Sequence, residues 1–228
     1  MKKHCLGIDI GGTKTRFGIV NISTGKIIYK QIIKSKTFKS DKKNLENITT
    51  IGLEIIELAK KKYSININNI GVGVPELINN NGIIKGEYNF AWENLSFKKH
   101  FKKYNFKAKA DSDVRNALRG EKLYGKGKKF KNFIFVNIGT GLSYALFNDN
   151  KIYSGFNGFA IHFASSKINL YNPKNNENIS LVPEDHYSGK SITLIPESMD
   201  SEKYKKYIKN IANSLGSLIG LLINIVDP

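Results

Sequence analysis

Short apolar alternations and longer helical periodicities take turns along this chain. Near the N-terminus, Ile8 and Ile10 flank Asp9, and Phe17, Ile19 and Val20 resume the apolar pattern after Gly11-Gly12. Two strands joined by a tight glycine turn are the expected result. Ile27, Ile28, Ile32 and Ile33 extend the sheet beyond the turn at 21–25. Residues 42 to 63 then carry Leu45, Ile48, Ile51, Ile55 and Leu58 at helical spacing, with a lysine-rich end suited to a helix C-terminus. Ile70-Gly71-Val72-Gly73-Val74-Pro75 reads as a buried strand stopped by proline, its small residues placed where backbone approaches a neighbour or ligand. A turn at 79–82 leads to a short strand beginning at Ile83-Ile84, and Ser96 is placed to cap a helix through Tyr104.

The alternation returns at 106–110, and a helix follows from about Asp113, marked by Val114, Ala117, Leu118 and Leu123. Phe133 to Ile138 is a buried strand that delivers a second glycine turn, Gly139-Thr140-Gly141, and 142–147 leads back out of it. Residues 172–178 form a polar loop. Residues 201–226 form a long helix, apolar on most faces from Leu215 onward, which predicts burial. Its apolar run, broken by Ser217 and Asn224, is shorter than the roughly 20 residues a bilayer requires.

Composition narrows the class. The 228 residues are 40% hydrophobic and 24% charged, the profile of a globular chain able to bury a sizeable core. The single cysteine, Cys5, excludes an internal disulfide framework and a cysteine zinc site. The first strand follows Met1-Lys2-Lys3-His4 directly, so neither a signal peptide nor a leading DNA-binding module is expected, and the cytoplasm is the default. A net charge of +17 invites a nucleic-acid reading. Yet Arg16, Arg115 and Arg119 are the only arginines, and no run interleaves arginine with aromatics as a base-stacking platform does. Lysine clusters such as 60–62 and 126–129 read as solvated helix ends and loops.

Three segments carry chemistry. Gly11 and Gly12 can adopt positive φ and bring backbone N–H groups close to an anion, with Thr13, Thr15 and Lys14 adding hydroxyls and a cation. Asp9 stands where a hydrated divalent metal could be held beside phosphates. A plain Gly-Gly hairpin is the alternative. Asp113 opens its helix either as a capping carboxylate or as an acid held ionised by the helix dipole, able to take a proton from a hydroxyl that attacks a phosphate. Asn89 is by itself a turn residue bonding its own backbone.

Asp-Ile-Gly-Gly-Thr-Lys at 9–14, followed by a strand, resembles the phosphate-1 hairpin of the actin/hexokinase/Hsp70 superfamily, and within it the ROK family of sugar kinases and repressors. The resemblance runs over nearly the whole chain. It implies an α/β, ribonuclease H-like fold of the two-domain actin/hexokinase type, with domains at 1–111 and 112–228, the second incomplete. It implies an ATP-dependent hexose kinase, with a non-catalytic sugar- or nucleotide-binding protein as the alternative. Asp113 takes the register of the family's catalytic base, with Gly120 and Glu121 in register after it. Asp9, Gly11, Gly12, Thr13, Lys14, Gly139, Thr140 and Gly141 would grip ATP phosphates, with Mg²⁺ held by Asp9 through water. ATP–Mg²⁺ would lie between the two glycine hairpins. Asn89, Ser112, Asp113, Gly158 and His162 would face the sugar, with Trp92 packed near Asn89. The implied partner is a hexose or hexose derivative, without nucleic acid or membrane, and a homodimer is an allowed assembly.

The chain also departs from the family. Ser112 and Arg115 replace two asparagines of the family's Asn-Asp-Ala-Asn. Ile161 and His162 stand at its Gly-Glu pair, where the Glu holds sugar hydroxyls, and Ser165 stands at its zinc-binding His. The cysteine cluster is absent, so no structural zinc is expected. Glu184-Asp185-His186-Tyr187-Ser188-Gly189 is similar to the family's acidic-then-Ser-Gly segment, and is equally readable as an ordinary turn. After Asp227-Pro228 the family continues with a strand, a glycine-rich adenosine loop and closing helices.

Overall fold

The computed structural model describes residues 3–193 and 200–228. The chain forms two compact units, one of Met1–Phe130 with Ser154–Phe159, the other of Lys131–Tyr153 with Ala160–Pro228. Relative to a division after Asp111, the first unit keeps the helix that Asp113 opens, because that helix is hydrogen-bonded onto the first sheet: Asn116 Nδ2 donates to the Val72 carbonyl at 3.1 Å.

The first unit is built on a five-stranded sheet. Strand β1 (His4–Ile10) pairs antiparallel with β2 (Lys14–Asn21), which pairs antiparallel with β3 (Ile27–Lys34). On its other side β1 pairs parallel with β4 (Asn69–Val74), and β4 with β5 (Lys107–Ser112). The alternation in β1 and β2 sends Leu6, Ile8, Ile10, Phe17 and Ile19 to one buried face. Helix α1 (Asp41–Tyr63) covers that face. Its Gly52 lies close enough that an added Cβ would touch Leu6 and Ile8 at 3.5 and 3.6 Å. Ser40 caps α1, and Lys60 to Lys62 fill its last turn as expected. Helix α2 (Phe97–Lys102) starts at the Ser96 cap and ends two residues before the expected Tyr104. Ile83 and Ile84 make only isolated bridges, to Ser96 and Ile78, in place of a strand. Helix α3 (Asp113–Tyr124) follows β5 without a loop, and a 3₁₀ turn (Lys126–Lys129) closes the segment.

The second unit is thinner. Strands β6 (Phe133–Ile138), β7 (Leu142–Asn148) and β8 (Lys151–Tyr153) form an antiparallel meander. The polar loop expected at 172–178 is the tip of a hairpin, β9 (Ile168–Asn172) with β10 (Glu177–Leu181), whose alternate apolar residues support pairing. The acidic segment at 184–189 folds as two short helices, α4 (Pro183–Tyr187) and α5 (Gly189–Ile192). Helix α6 runs Ser201–Val226, and Ile211 and Leu215 join Leu142 and Ala164 in a small core.

The expected burial of the end of α6 does not hold. Leu222 is buried, but Leu221, Ile223 and Ile225 are 56%, 47% and 72% exposed. One three-stranded meander and a hairpin offer too little surface to cover a helix that is apolar on most faces. Nor is the helix too short for a bilayer: among the described residues α6 alone is long and apolar enough to cross one by length and composition.

Candidate functional site

The first glycine turn owes its shape to close approach. Neither Gly11 nor Gly12 has the positive φ expected of the turn. Gly11 donates its N–H to the Lys14 carbonyl at 3.0 Å, and a Cβ on Gly11 would stand 3.1 Å from that oxygen. A Cβ on Gly12 would stand 2.6 Å from Asn89 Oδ1. The N–H groups of Gly12 and Thr13 have no protein acceptor among the described residues. Thr13 and Lys14 are exposed, while the Thr15 hydroxyl is buried against that of Ser35 at 2.8 Å.

Asn89 reaches this turn because of a residue that motif reading passes over. Glu76 is 2% exposed, and its carboxylate accepts three successive backbone N–H groups, from Tyr88, Asn89 and Phe90, at 2.8, 2.6 and 3.1 Å. A buried carboxylate is tolerable only when so satisfied. The Asn89 amide donates to the Pro75 carbonyl at 2.9 Å, and Trp92 stacks on Phe90 at 4.1 Å between ring centres. An acid directly after the proline that stops β4 was the available signal.

Gly73 is the second point of convergence. A Cβ there would lie 3.3 Å from Asn116 Nδ2, 3.5 Å from Asp9 Oδ1 and 3.7 Å from the Asp113 Cα, so β1's carboxylate and the start of α3 both come up to this position of β4. Asp113 is not the cap of its helix. Ser112 is, its hydroxyl accepting the Arg115 N–H at 3.4 Å, and Ser112 is fully buried. Asp113 follows as the first helical residue, its carboxylate accepting the Val114 N–H at 2.7 Å. The helix dipole does not dominate its ionisation. Burial pushes the carboxyl above its ordinary range against the pull of the Val114 N–H, and the negative charge of Asp9 adds to the rise.

Arg115 is a buried clamp. Its Nε donates to Asp111 at 2.6 Å, Nη1 to the Gly158 carbonyl at 2.7 Å and Nη2 to the Ile78 carbonyl at 3.3 Å. Arg119 also pairs with Asp111. Burial alone would raise Asp111, but the Arg115 hydrogen bond and the charges of Arg119 and Arg115 hold it below the ordinary carboxylate range. Gly158 has φ +88° and would drive a Cβ to 2.7 Å from the Ile78 carbonyl. Its carbonyl faces Arg115, and Asn80 secures the same loop by donating to the Phe156 carbonyl at 2.9 Å.

The second glycine turn, in the other unit, is differently furnished. Gly139 donates to the Gly141 carbonyl at 3.0 Å, and the Leu142 N–H donates to Glu184 Oε2 at 2.6 Å. That oxygen would lie 2.8 Å from a Cβ on Gly141, so a carboxylate already sits in the crook of the turn. Thr140 is exposed. His162 bridges to Ser143, and surrounding atoms lower its basicity while Glu184 raises it. The first unit thus gathers Asp9, Gly11, Gly12, Asn89 and Asp113. The second holds Gly139, Thr140, Gly141 and His162 around Glu184.

The sequence profile of the ROK family matches residues 5–176. The chain belongs to the ROK family. Its curated relatives include the xylose repressor of Caldicellulosiruptor bescii, 27% identical over 170 residues, covering 72% of this chain and 41% of the relative. They also include the glucokinase of Halalkalibacterium halodurans, 28% identical over 160 residues, covering 68% and 47%. The chain spans less than half the length of these relatives. A crystal structure of a ROK family glucokinase from Streptomyces griseus in complex with glucose and AMPPNP superposes with a TM-score of 0.66 at 20% identity, covering 98% of this chain and 66% of that one. The fold is therefore the mixed α/β, actin/hexokinase-like fold of the ROK sugar kinases. Kinases and repressors both stand among the relatives of this ROK chain.

Proposed function

We propose that this ROK protein is an ATP-dependent sugar kinase that transfers a phosphoryl group to a hexose hydroxyl. The observation that carries the reading is the convergence at Gly12 and Gly73: an open glycine turn with Asn89 beside it, and a strand position where an added Cβ would lie 3.5 Å from Asp9 Oδ1 and 3.7 Å from the Asp113 Cα. Donor phosphates accept the N–H groups of Gly12 and Thr13, and Lys14 adds charge from the same turn. Asn89 orients the sugar. Asp113 takes the proton of the attacking hydroxyl. Its raised pKa makes it a stronger base than an ordinary carboxylate.

Magnesium fits this site. Asp9 offers a hard oxygen, Oδ1, turned towards the glycine gap, and its charge is felt at Asp113. Magnesium is commonly held through one or two carboxylates, waters and substrate phosphates. When bound, the ion neutralises charge on the donor phosphates. Asp9 is the residue that would hold it.

A second reading, a sugar- or nucleotide-binding ROK protein without turnover, draws support from the xylose repressors among the relatives and from Ser112, whose hydroxyl caps a helix. Calorimetry with ATP–Mg²⁺ and a panel of hexoses, beside a coupled ADP-release assay, separates the two. Hexose-dependent ADP release supports the kinase; sugar binding without ADP release supports the second reading.

A further inference from the structure

Asp9 and Arg16 stand directly opposite each other on β1 and β2. Their strand neighbours Ile8, Ile10, Thr15 and Phe17 are buried on the α1 side, so the pair projects from the opposite face. Across the sheet the row continues through Gly73 to Asp111, which places Arg16, Asp9 and the glycine gap beside Asp113 in one line. Lys14, two positions along β2, points from the same face.

Arg16 Nη1 donates to Asp9 Oδ2 at 3.1 Å, and the two side chains are 58% and 52% exposed. So exposed a pair contributes little to stability. What it does is aim. One nitrogen of the guanidinium is held, and Nε and Nη2 have no acceptor among the described residues. The planar fork is thus presented beside the open glycine turn with two parallel donors still available, the geometry that matches two oxygens of a phosphate. Asp9 Oδ1, the oxygen not engaged by Arg16, is the one that faces the Gly73 gap.

Resting on the kinase reading above, we propose that Arg16 is a phosphate-binding residue, steered by Asp9, that receives the terminal phosphate of a linear phosphoanhydride donor. A guanidinium beside the turn then supplies positive charge that a carboxylate could recruit only through a metal. Triphosphate binding to this chain accordingly persists when divalent cations are removed. The shared ligand chemistry is the phosphoanhydride end, whether it belongs to a nucleotide or to an inorganic polyphosphate.

The test is calorimetry of the full chain with inorganic tripolyphosphate, in EDTA and in Mg²⁺, for the wild type, Arg16→Ala, Arg16→Lys and Arg16→Gln. The expected result is wild-type binding in both buffers, weakened about tenfold in EDTA by Arg16→Ala and Arg16→Gln and only partly by Arg16→Lys, which keeps charge but loses the fork. Hexose affinity and melting temperature stay at wild-type values, since the side chain is exposed. ATP in place of tripolyphosphate shows whether the base adds affinity. Arg16→Ala binding within twofold of wild type in EDTA overturns the proposal, as does wild-type binding that appears only with Mg²⁺. In either case hexose-dependent ADP release by the wild type leaves the kinase reading standing. Absence of both triphosphate binding and ADP release removes the two together.

Discussion

The two glycine turns are near twins in sequence and opposites in surroundings. Gly11-Gly12 lies against Asn89, and the N–H groups of Gly12 and Thr13 have no acceptor among the described residues. Gly139-Thr140-Gly141 already has a carboxylate in its crook, with Glu184 taking the Leu142 N–H. Their supports differ too. The first turn rests on a sheet whose β1 and β2 bury Leu6, Ile8, Ile10, Phe17 and Ile19; the second follows β6, no residue of which is buried. A glycine turn therefore marks only where backbone can come close. What approaches it is decided by distant chain: Glu76 for the first, and α4 for the second.

The largest expected effect tests whether the chemistry belongs to the first turn. Asp113→Asn removes the base and should lower hexose-dependent ADP release by about 10²- to 10⁴-fold with sugar affinity largely kept. Turnover retained in that variant would take Asp113 out of its role. Next comes a paired substitution that sets the turns against each other. Gly12→Ala pushes its Cβ onto Asn89, whose amide is tied to Pro75, and should weaken hexose binding by calorimetry about tenfold or more. Gly141→Ala meets only the tip of the Glu184 side chain, which can swing aside, and should cost clearly less. Equal losses would erase the distinction.

Glu184→Ala leaves the Leu142 N–H without its acceptor. It should destabilise the second unit by about 1–3 kcal/mol, read as faster amide exchange in β7 with β1 and β2 unchanged. The smallest effect concerns protons. Because Asp113 is raised in the folded chain, its contribution to stability is full below the unfolded-state pKa and is lost as pH rises through the folded one. Asp113→Asn should therefore melt slightly higher than wild type at neutral pH, with the gap closing towards acid. Asp111 runs the other way. Its lowered pKa gives stability above the unfolded value that is lost as pH falls through the folded one, so Asp111→Asn should melt lower at neutral pH and approach wild type in acid.

Much was legible in advance because it is local. Alternation around Asp9 dictated β1 and β2, helical spacing and lysines dictated α1, and Ser96 announced the start of α2. The ROK family and its fold were likewise readable from Asp9 to Lys14, because that string concentrates residues with few other uses. Failures came where partners lie far apart in sequence. Nothing near Asn89 says that Glu76 will hold its backbone, and nothing near Gly139 says that Glu184 will arrive 45 residues later. The capping role of Ser112 was hidden because Asp113 beside it is an equally good cap by type.

The amino-acid sequence by itself determined β1, β2, α1, the long helix α6, the two glycine turns and the family, since each depends on backbone preferences and on apolar periods a few residues long. Only the tertiary structure decided that Asp9, Asn89 and Asp113 meet at Gly12 and Gly73, that burial and a neighbouring charge raise Asp113, and that the end of α6 stays uncovered. Those outcomes follow from desolvation and from contacts across many tens of residues, energies that exist only once the chain has closed on itself.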